Sequence, residues 1–377
     1  MAEPAEQELR VSSLELFFDL VFVFTITQLT SVLSHELDLV GLARMALLLA
    51  VIWWMYGGYA WLTNAVPPRK ASTRGLLVLA MVAYLVLAIS VPSAFEADRW
   101  VFAVAYLVIV LVHSGVFLTT ADPGSRRGIL QILPSNLAVS LLLFVAAAVP
   151  DGPWRWACWT VVAVALWISP LIRIPSEISV RPSHFVERHG LVLIIAFGES
   201  VVAVGIGAAG LEVTTGLIVA AALTMVMLAG LWWCYFAGDN EQRAETALTA
   251  ADGRGRFLMS LLGYGHCYLL LLGGIIVLAA GVKTAVAHPW DTLPLPAALA
   301  VGGGMALYLI GDVLLRLVLH LGSNWTRGIA AVLAAASTVV GATESAVAQL
   351  AVLAAVVVLL VAAEHLGRQP GGLPSSR

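Results

Sequence analysis

"LELFFDLVFVFTITQLT", residues 14–30, is apolar enough to belong to a membrane-spanning helix, yet its first half carries two carboxylates, Glu15 and Asp19. A spanning helix needs about 20 largely apolar residues. A carboxylate at the bilayer centre costs about 2.5–3.5 kcal/mol on insertion scales. Acids placed there face other helices or a polar cavity and take a partner. Glu15 and Asp19 stand at i and i+4, so they share one helical face. Two like charges so close require a proton, a cation or an arginine beside them.

The rest of the chain is built the same way. Of its 377 residues 60% are hydrophobic and 11% are charged, where a soluble domain carries about 25% charged residues. The net charge of -3 comes with no basic stretch, which leaves a nucleic-acid partner without a footprint. Cys158, Cys234 and Cys267 are an odd number inside apolar segments and read as small buried hydrophobes. The start, "MAEPAEQELR" (1–10), lacks the basic region of a cleavable signal peptide.

Twelve apolar runs are long enough to span a bilayer, near 11–33, 40–62, 75–93, 100–120, 129–149, 155–173, 189–210, 214–237, 257–281, 295–318, 326–342 and 345–365. The expected fold is therefore an all-α polytopic membrane protein. Of the 20 Lys and Arg residues, all but Arg44, Arg99, Arg155 and Lys283 fall on the side of the N-terminus, the even-numbered loops and the C-terminus. The positive-inside rule then predicts cytoplasmic termini.

The two halves resemble each other. "LFFDLVFVF" (16–24) aligns with "AFGESVVAV" (196–204), "WWMY" (53–56) with "WWCY" (232–235), and "RRGI" (126–129) with "TRGI" (326–329), in the same order. The expected organisation is two parallel six-helix repeats, 10–173 and 189–365. A cytoplasmic linker, 174–188, joins them, and cytoplasmic tails occupy 1–9 and 366–377. Asp19 then falls on Glu199. Each lies nine residues after its reference point, Arg10 or Gly190. Both acids are expected at one depth, roughly 13 Å in.

Four carboxylates, Asp19, Glu199, Glu15 and Glu187, are the candidates for a proton relay or general acid. A structural hydrogen bond between helices is the plainer alternative for Asp19 and Glu199, and simple solvation for Glu15. The densest polar cluster is "HFVERHG" (184–190), with His184, Glu187, Arg188 and His189; Arg188 is placed to pair with Glu15 across the repeat. A charged helix cap explains the same residues without function. The local spacing supplies two metal ligands where three or four are needed, so no metal and no cofactor is expected. His113, His266 and Asp312 lie inside apolar segments, and Asp312 with Arg316 forms an i, i+4 pair. Trp53, Tyr56, Trp232 and Tyr235 are candidate cavity walls, or an interfacial aromatic belt. "DNEQRAE" (239–245) reads as a solvated loop.

"LELFFDLVFVFTITQLT", "WWMYGGY" (53–59) and especially "HFVERHGLVLIIAFGES" (184–200) resemble the bacterial low temperature requirement A family, over residues 10 to 365. The resemblance implies a multi-spanning membrane protein linked by name to growth in the cold. It places Glu15, Asp19, His184, Glu187, Arg188, His189, Glu199 and Ser200 in the family motif, and it carries no catalytic role with it. Three readings follow. The first is a protein that moves a small solute or ion, proton-coupled through Asp19 and Glu199, with membrane lipid around it. The second is an integral-membrane enzyme acting on a hydrophobic lipid or isoprenoid substrate, such as an acid-catalysed cyclase. The third is a stress or assembly factor without catalysis.

Overall fold

The computed structural model describes residues 11–68, 70–120, 123–172 and 180–368. The expected tail 1–9, residues 174–179 of the expected linker and residues 369–377 of the expected C-terminal tail lie outside it, as do Arg10, Arg69, Arg173 and Arg377. Among the described residues the regular structure is all helical, and twelve helices are long and apolar enough to cross a membrane. The first six are α1 (Ser13–His35), α2 (Leu39–Ala65), α3 (Ala71–Ser90), α4 (Arg99–Thr120), α5 (Pro123–Ala148) and α6 (Pro153–Ile172). Next come α7 (Pro182–Ala208), α8 (Thr215–Phe236) and the short α9 (Asn240–Ala250). The ninth span is composite: α10 (Gly253–Met259), a π-helical stretch Ser260–Cys267, and α11 (Tyr268–Ala287). The last three are α12 (Leu295–Val318), α13 (Trp325–Thr343) and α14 (Ala346–Arg368).

Local chemistry fixes the helix ends. Ser12 caps α1 in a capping box with Glu15, each satisfying the other's backbone N–H. Asp38 caps α2 through Gly41 N–H at 2.8 Å, and Thr214 caps α8 through Leu217 N–H. α7 opens on Pro182, whose missing N–H costs nothing at a helix start. α7 therefore begins well before residue 189, and the "HFVERHG" cluster lies within a helix.

The outer faces are apolar: Val82 and Ile89 of α3, Val104 of α4, Val332 of α13 and Leu359 of α14 are all exposed. Large exposed apolar side chains around a bundle suit a lipid surface. In lipid the hydrophobic effect no longer drives helix pairing, and close packing of small residues takes over. α11 is the central column, packed on α12, α7 and α1, with Leu271, Leu272, Ile275, Ile276 and Leu278 fully buried. It meets α12 through glycine. A Cβ on Gly274 would lie 2.5 Å from the Tyr308 backbone nitrogen, and one on Gly304 would strike the Leu278 backbone. α1 touches α2, α3, α7 and α11. "DNEQRAE" proves helical: α9 packs on α7 and buries Ala244 and Leu248, which stand at i and i+4 on one face.

Candidate functional site

The two acids of α1 meet an arginine of α7. Glu15 divides its carboxylate. Oε2 accepts Ser12 N–H at 2.9 Å and the Ser12 hydroxyl at 2.7 Å, closing the helix cap. Oε1 takes Arg188 Nη1 at 3.1 Å and His184 Nε2 at 3.1 Å. One turn deeper, Asp19 Oδ1 accepts the Tyr56 hydroxyl at 2.6 Å and Arg188 Nη2 at 3.1 Å. Arg188 also donates to the Thr63 hydroxyl. Its guanidinium lies 5.6 Å from the Tyr56 ring centre and 5.8 Å from that of Phe18, within cation–π range. Asn64 braces the rim. Its Oδ1 accepts Arg181 N–H at 2.8 Å and its Nδ2 donates to the Arg181 carbonyl at 2.9 Å, which turns Nδ2 toward His184 Nδ1 at 3.4 Å. A donor against Nδ1 leaves the Nε2–H to face Glu15. Asp19 is 0% exposed, and among the described residues its Oδ2 has no hydrogen-bond partner. The ionised cluster holds two carboxylates against one guanidinium.

Glu199 lies elsewhere. α1 and α7 run the same way, because Glu15 meets Arg188 near their starts and Thr27 meets Glu199 farther along. Asp19 is six residues into α1, roughly 9 Å, whereas Glu199 is seventeen residues into α7, roughly 25 Å. The expectation of one shared depth is corrected: α7 starts at Pro182, so Glu199 is carried toward the far side. Glu199 is 3% exposed and accepts the Thr27 hydroxyl at 2.5 Å. Among the described residues it has no ion-pair partner. Farther along α1, Ser34 accepts Lys283 Nζ of α11 at 3.3 Å.

These groups form a seam. At 100° per residue, Glu15, Asp19, Thr27, Thr30 and Ser34 fall within about 120° of the α1 surface. Their partners Arg188, Glu199 and Lys283 come from α7 and α11. Among the described residues the Thr30 hydroxyl is buried without a partner, as is that of Ser200 beside Glu199.

The other expected residues scatter. Glu187 is exposed and, among the described residues, accepts the Val11 backbone N–H at 3.3 Å, outside the cluster. His189 is buried and turned away from Arg188: its Nδ1 lies 2.8 Å from the Phe185 carbonyl, and its ring packs on Trp53, Tyr264 and Tyr268. Trp53 is buried and stacks on Tyr56 at 5.0 Å. Trp232 is 40% exposed, against Phe236 on the outer surface, and is not in the wall of the cavity that Trp53 lines. Tyr235 shares a hydrogen bond with Tyr268. His266 reaches the Trp167 and Leu261 carbonyls, each at 3.2 Å.

Asp312 makes an ion pair with Arg327 of α13. Arg327 also forks onto Glu364 of α14 at 2.6 and 2.8 Å, while Arg316 donates to Asn324 and Asn240. Among the described residues a helix from elsewhere in the bundle supplies the closer cation, and Arg316, the i, i+4 neighbour, adds its attraction from farther away. Sequence reasoning missed Thr27, Thr63, Asn64, Arg327 and Glu364. Arg327 and Glu364 were detectable as charges within or at the end of apolar runs; hydroxyl and amide partners leave no such mark.

A family description, bacterial low temperature requirement A protein, matches residues 10–363. Uncharacterized protein RA0937 of Rhizobium meliloti (strain 1021) is 30% identical over 319 residues, covering 81% of this chain and 76% of its own length. No solved structure matches the chain. With nearly its full length matched, twelve spanning helices and the acid-bearing segments inside the match, the chain belongs to the bacterial low temperature requirement A family.

Proposed function

We propose that the protein moves a small solute or ion across the membrane, coupled to protons through Asp19 and Glu199. One observation carries the reading: Glu199 is a buried carboxylate whose single hydrogen-bond partner among the described residues is a hydroxyl. An intramembrane acid without a counter-ion is costly, and such groups mark ion pathways and proton relays. The seam gives that acid a setting. The Arg188 cluster stands at the cytoplasmic end in this reading, Glu199 lies deeper, and Lys283 stands at the far end. The two carboxylates around Arg188 exceed its charge by one, which a proton offsets. Both termini lie in the cytoplasm of a bacterial inner-membrane protein, and residues 10–173 and 189–365 act as two parallel repeats. Fusions of a compartment reporter after residue 377 and within 288–294 then report opposite sides.

The activity itself is tested in liposomes carrying an internal pH dye. The wild-type protein collapses an imposed pH gradient, and the Asp19→Asn, Glu199→Gln double variant does not, although it keeps its fold. Amides preserve shape and remove the titration. Full flux in the double variant rejects proton coupling at this pair.

A further inference from the structure

At the end of the first six spans away from Arg188, a second group of charges gathers. Glu36 closes α1, Arg44 stands in the first turns of α2, Glu96 lies in the α3–α4 turn, and Asp151 and Arg155 flank the start of α6. Arg44 Nη1 meets Glu36 at 3.0 Å and Glu96 at 3.4 Å. The buried Arg155 pairs with Asp151 and donates to the Phe95 and Val149 carbonyls, at 2.5 and 2.7 Å. A pocket of about 180 Å³ stays open among them, lined by Arg44, Phe95, Glu96, Asp151, Arg155 and Trp156. Its walls hold two guanidinium groups and two carboxylates, so a ligand of one sign meets as many like charges as unlike ones. The carboxylates stand outermost, with side chains 59% exposed at Glu96 and 79% at Asp151. Arg44 is 23% exposed and, among the described residues, hydrogen-bonds through Nη1 alone, which leaves Nη2 to a ligand.

An apolar groove of about 440 Å³ starts at the same turn. It runs between α3 and α4 on the outer surface, with Val82, Val86, Trp100 and Val104 exposed in its walls. Trp100 follows Glu96 by four residues, a separation of at most about 14 Å. The end of α5 touches both features: Phe144 packs on Trp100 at 6.2 Å, and the Val149 carbonyl takes Arg155. The exposed rings of Trp100 and Trp154 suit a membrane–water interface at this level.

We propose that pocket and groove together bind one phospholipid with a phosphoethanolamine headgroup. Its ammonium lies between Glu96 and Asp151, its phosphate on Arg44, and one acyl chain along α3 and α4. A wall of mixed charge complements a zwitterion. A primary ammonium brings three N–H donors to the carboxylates, whereas a quaternary ammonium brings none, and an anionic headgroup without an amine sets like charges together. The sizes agree. An apolar cavity of about 150 Å³ holds benzene, about 25 Å³ per heavy atom. By that standard the pocket takes about seven heavy atoms, an ammonioethyl group with its bridging oxygen and PO₂ unit, and the groove takes about 17, one acyl chain.

The test is native mass spectrometry of the full-length protein released from detergent micelles, with equimolar phosphatidylethanolamine, phosphatidylcholine and phosphatidylglycerol carrying identical dioleoyl chains. The expected result is one retained phosphatidylethanolamine, about tenfold tighter than either competitor, as one charge-assisted hydrogen bond gives. Glu96→Gln combined with Asp151→Asn removes that preference. Val82→Trp fills the groove from its lipid side and lowers retention of all three lipids. Glycerophosphoethanolamine, which has the headgroup without the chains, binds more weakly than the lipid. Equal retention of the three lipids overturns the proposal, as does an unchanged preference in the folded double variant, unchanged retention in Val82→Trp, or glycerophosphoethanolamine binding as tightly as the lipid. Should the double variant fail to fold, Glu96→Gln alone decides: an unchanged preference overturns the proposal, and a reduced one supports it.

Discussion

Replacing Arg188 by Met removes the sole cation that the two acids of α1 share. Arg188 is 1% exposed and sits 3.1 Å from both Glu15 Oε1 and Asp19 Oδ1. Breaking a buried ion pair by deleting one partner costs about 3–5 kcal/mol, because the other charge stays buried. Glu15 retains Ser12 and His184, so its share of the loss is the smaller. Asp19 retains only the Tyr56 hydroxyl and carries most of it. Arg188→Met is expected to cost about 3–5 kcal/mol. Asp19→Asn in the Arg188→Met background removes the stranded charge, and is expected to recover about 1–3 kcal/mol as a coupling energy. The assay is a double-mutant cycle by reversible unfolding in mixed lipid–SDS micelles. A single-variant cost below about 1 kcal/mol, the level of an exposed pair, together with no coupling to Asp19→Asn, refutes the reasoning.

Gly274→Leu pushes α11 off the α12 backbone and destabilises by at least the ~1–3 kcal/mol of core overpacking, read in the same unfolding assay, whereas Gly57→Ala, in open helix, stabilises by about 0.5–1 kcal/mol. Arg327→Lys keeps the charge but loses the fork onto Glu364, and is expected to cost about 1.5–3 kcal/mol; Glu364→Gln should then add little on top of it.

Fold and site differ in how far the chain announces them. Spans were legible because each apolar run is a local property: even the pair separated by "GATES" resolves into α13 and α14. The pairing of Glu15 with Arg188 was legible too, since an intramembrane acid demands a cation and the "HFVERHG" segment offers one. Depth was not. Counting from Arg10 and Gly190 assumed equal helix starts, and Pro182 begins α7 earlier. Partners contributed by distant helices were equally hidden. Thr27, Thr63 and Asn64 are ordinary polar residues until α7 is laid beside α1 and α2. Trp232 shares a motif with Trp53 but faces outward, because identical dipeptides are buried or exposed according to which side of the helix the bundle covers.

The central claim is that the α1–α7–α11 seam is a path water can enter, and thiol accessibility tests it directly. On a background with Cys158, Cys234 and Cys267 replaced by Ser, single Thr30→Cys and Ser34→Cys variants are exposed in sealed vesicles to a charged, membrane-impermeant thiol reagent. Only a hydrated thiol ionises and reacts. Val104→Cys, at an exposed apolar position of α4, serves as the lipid-facing control. The account predicts that both seam cysteines react from at least one side and that the control does not. A Thr30→Cys protein that stays unreactive from both sides while remaining folded, like the control, contradicts it.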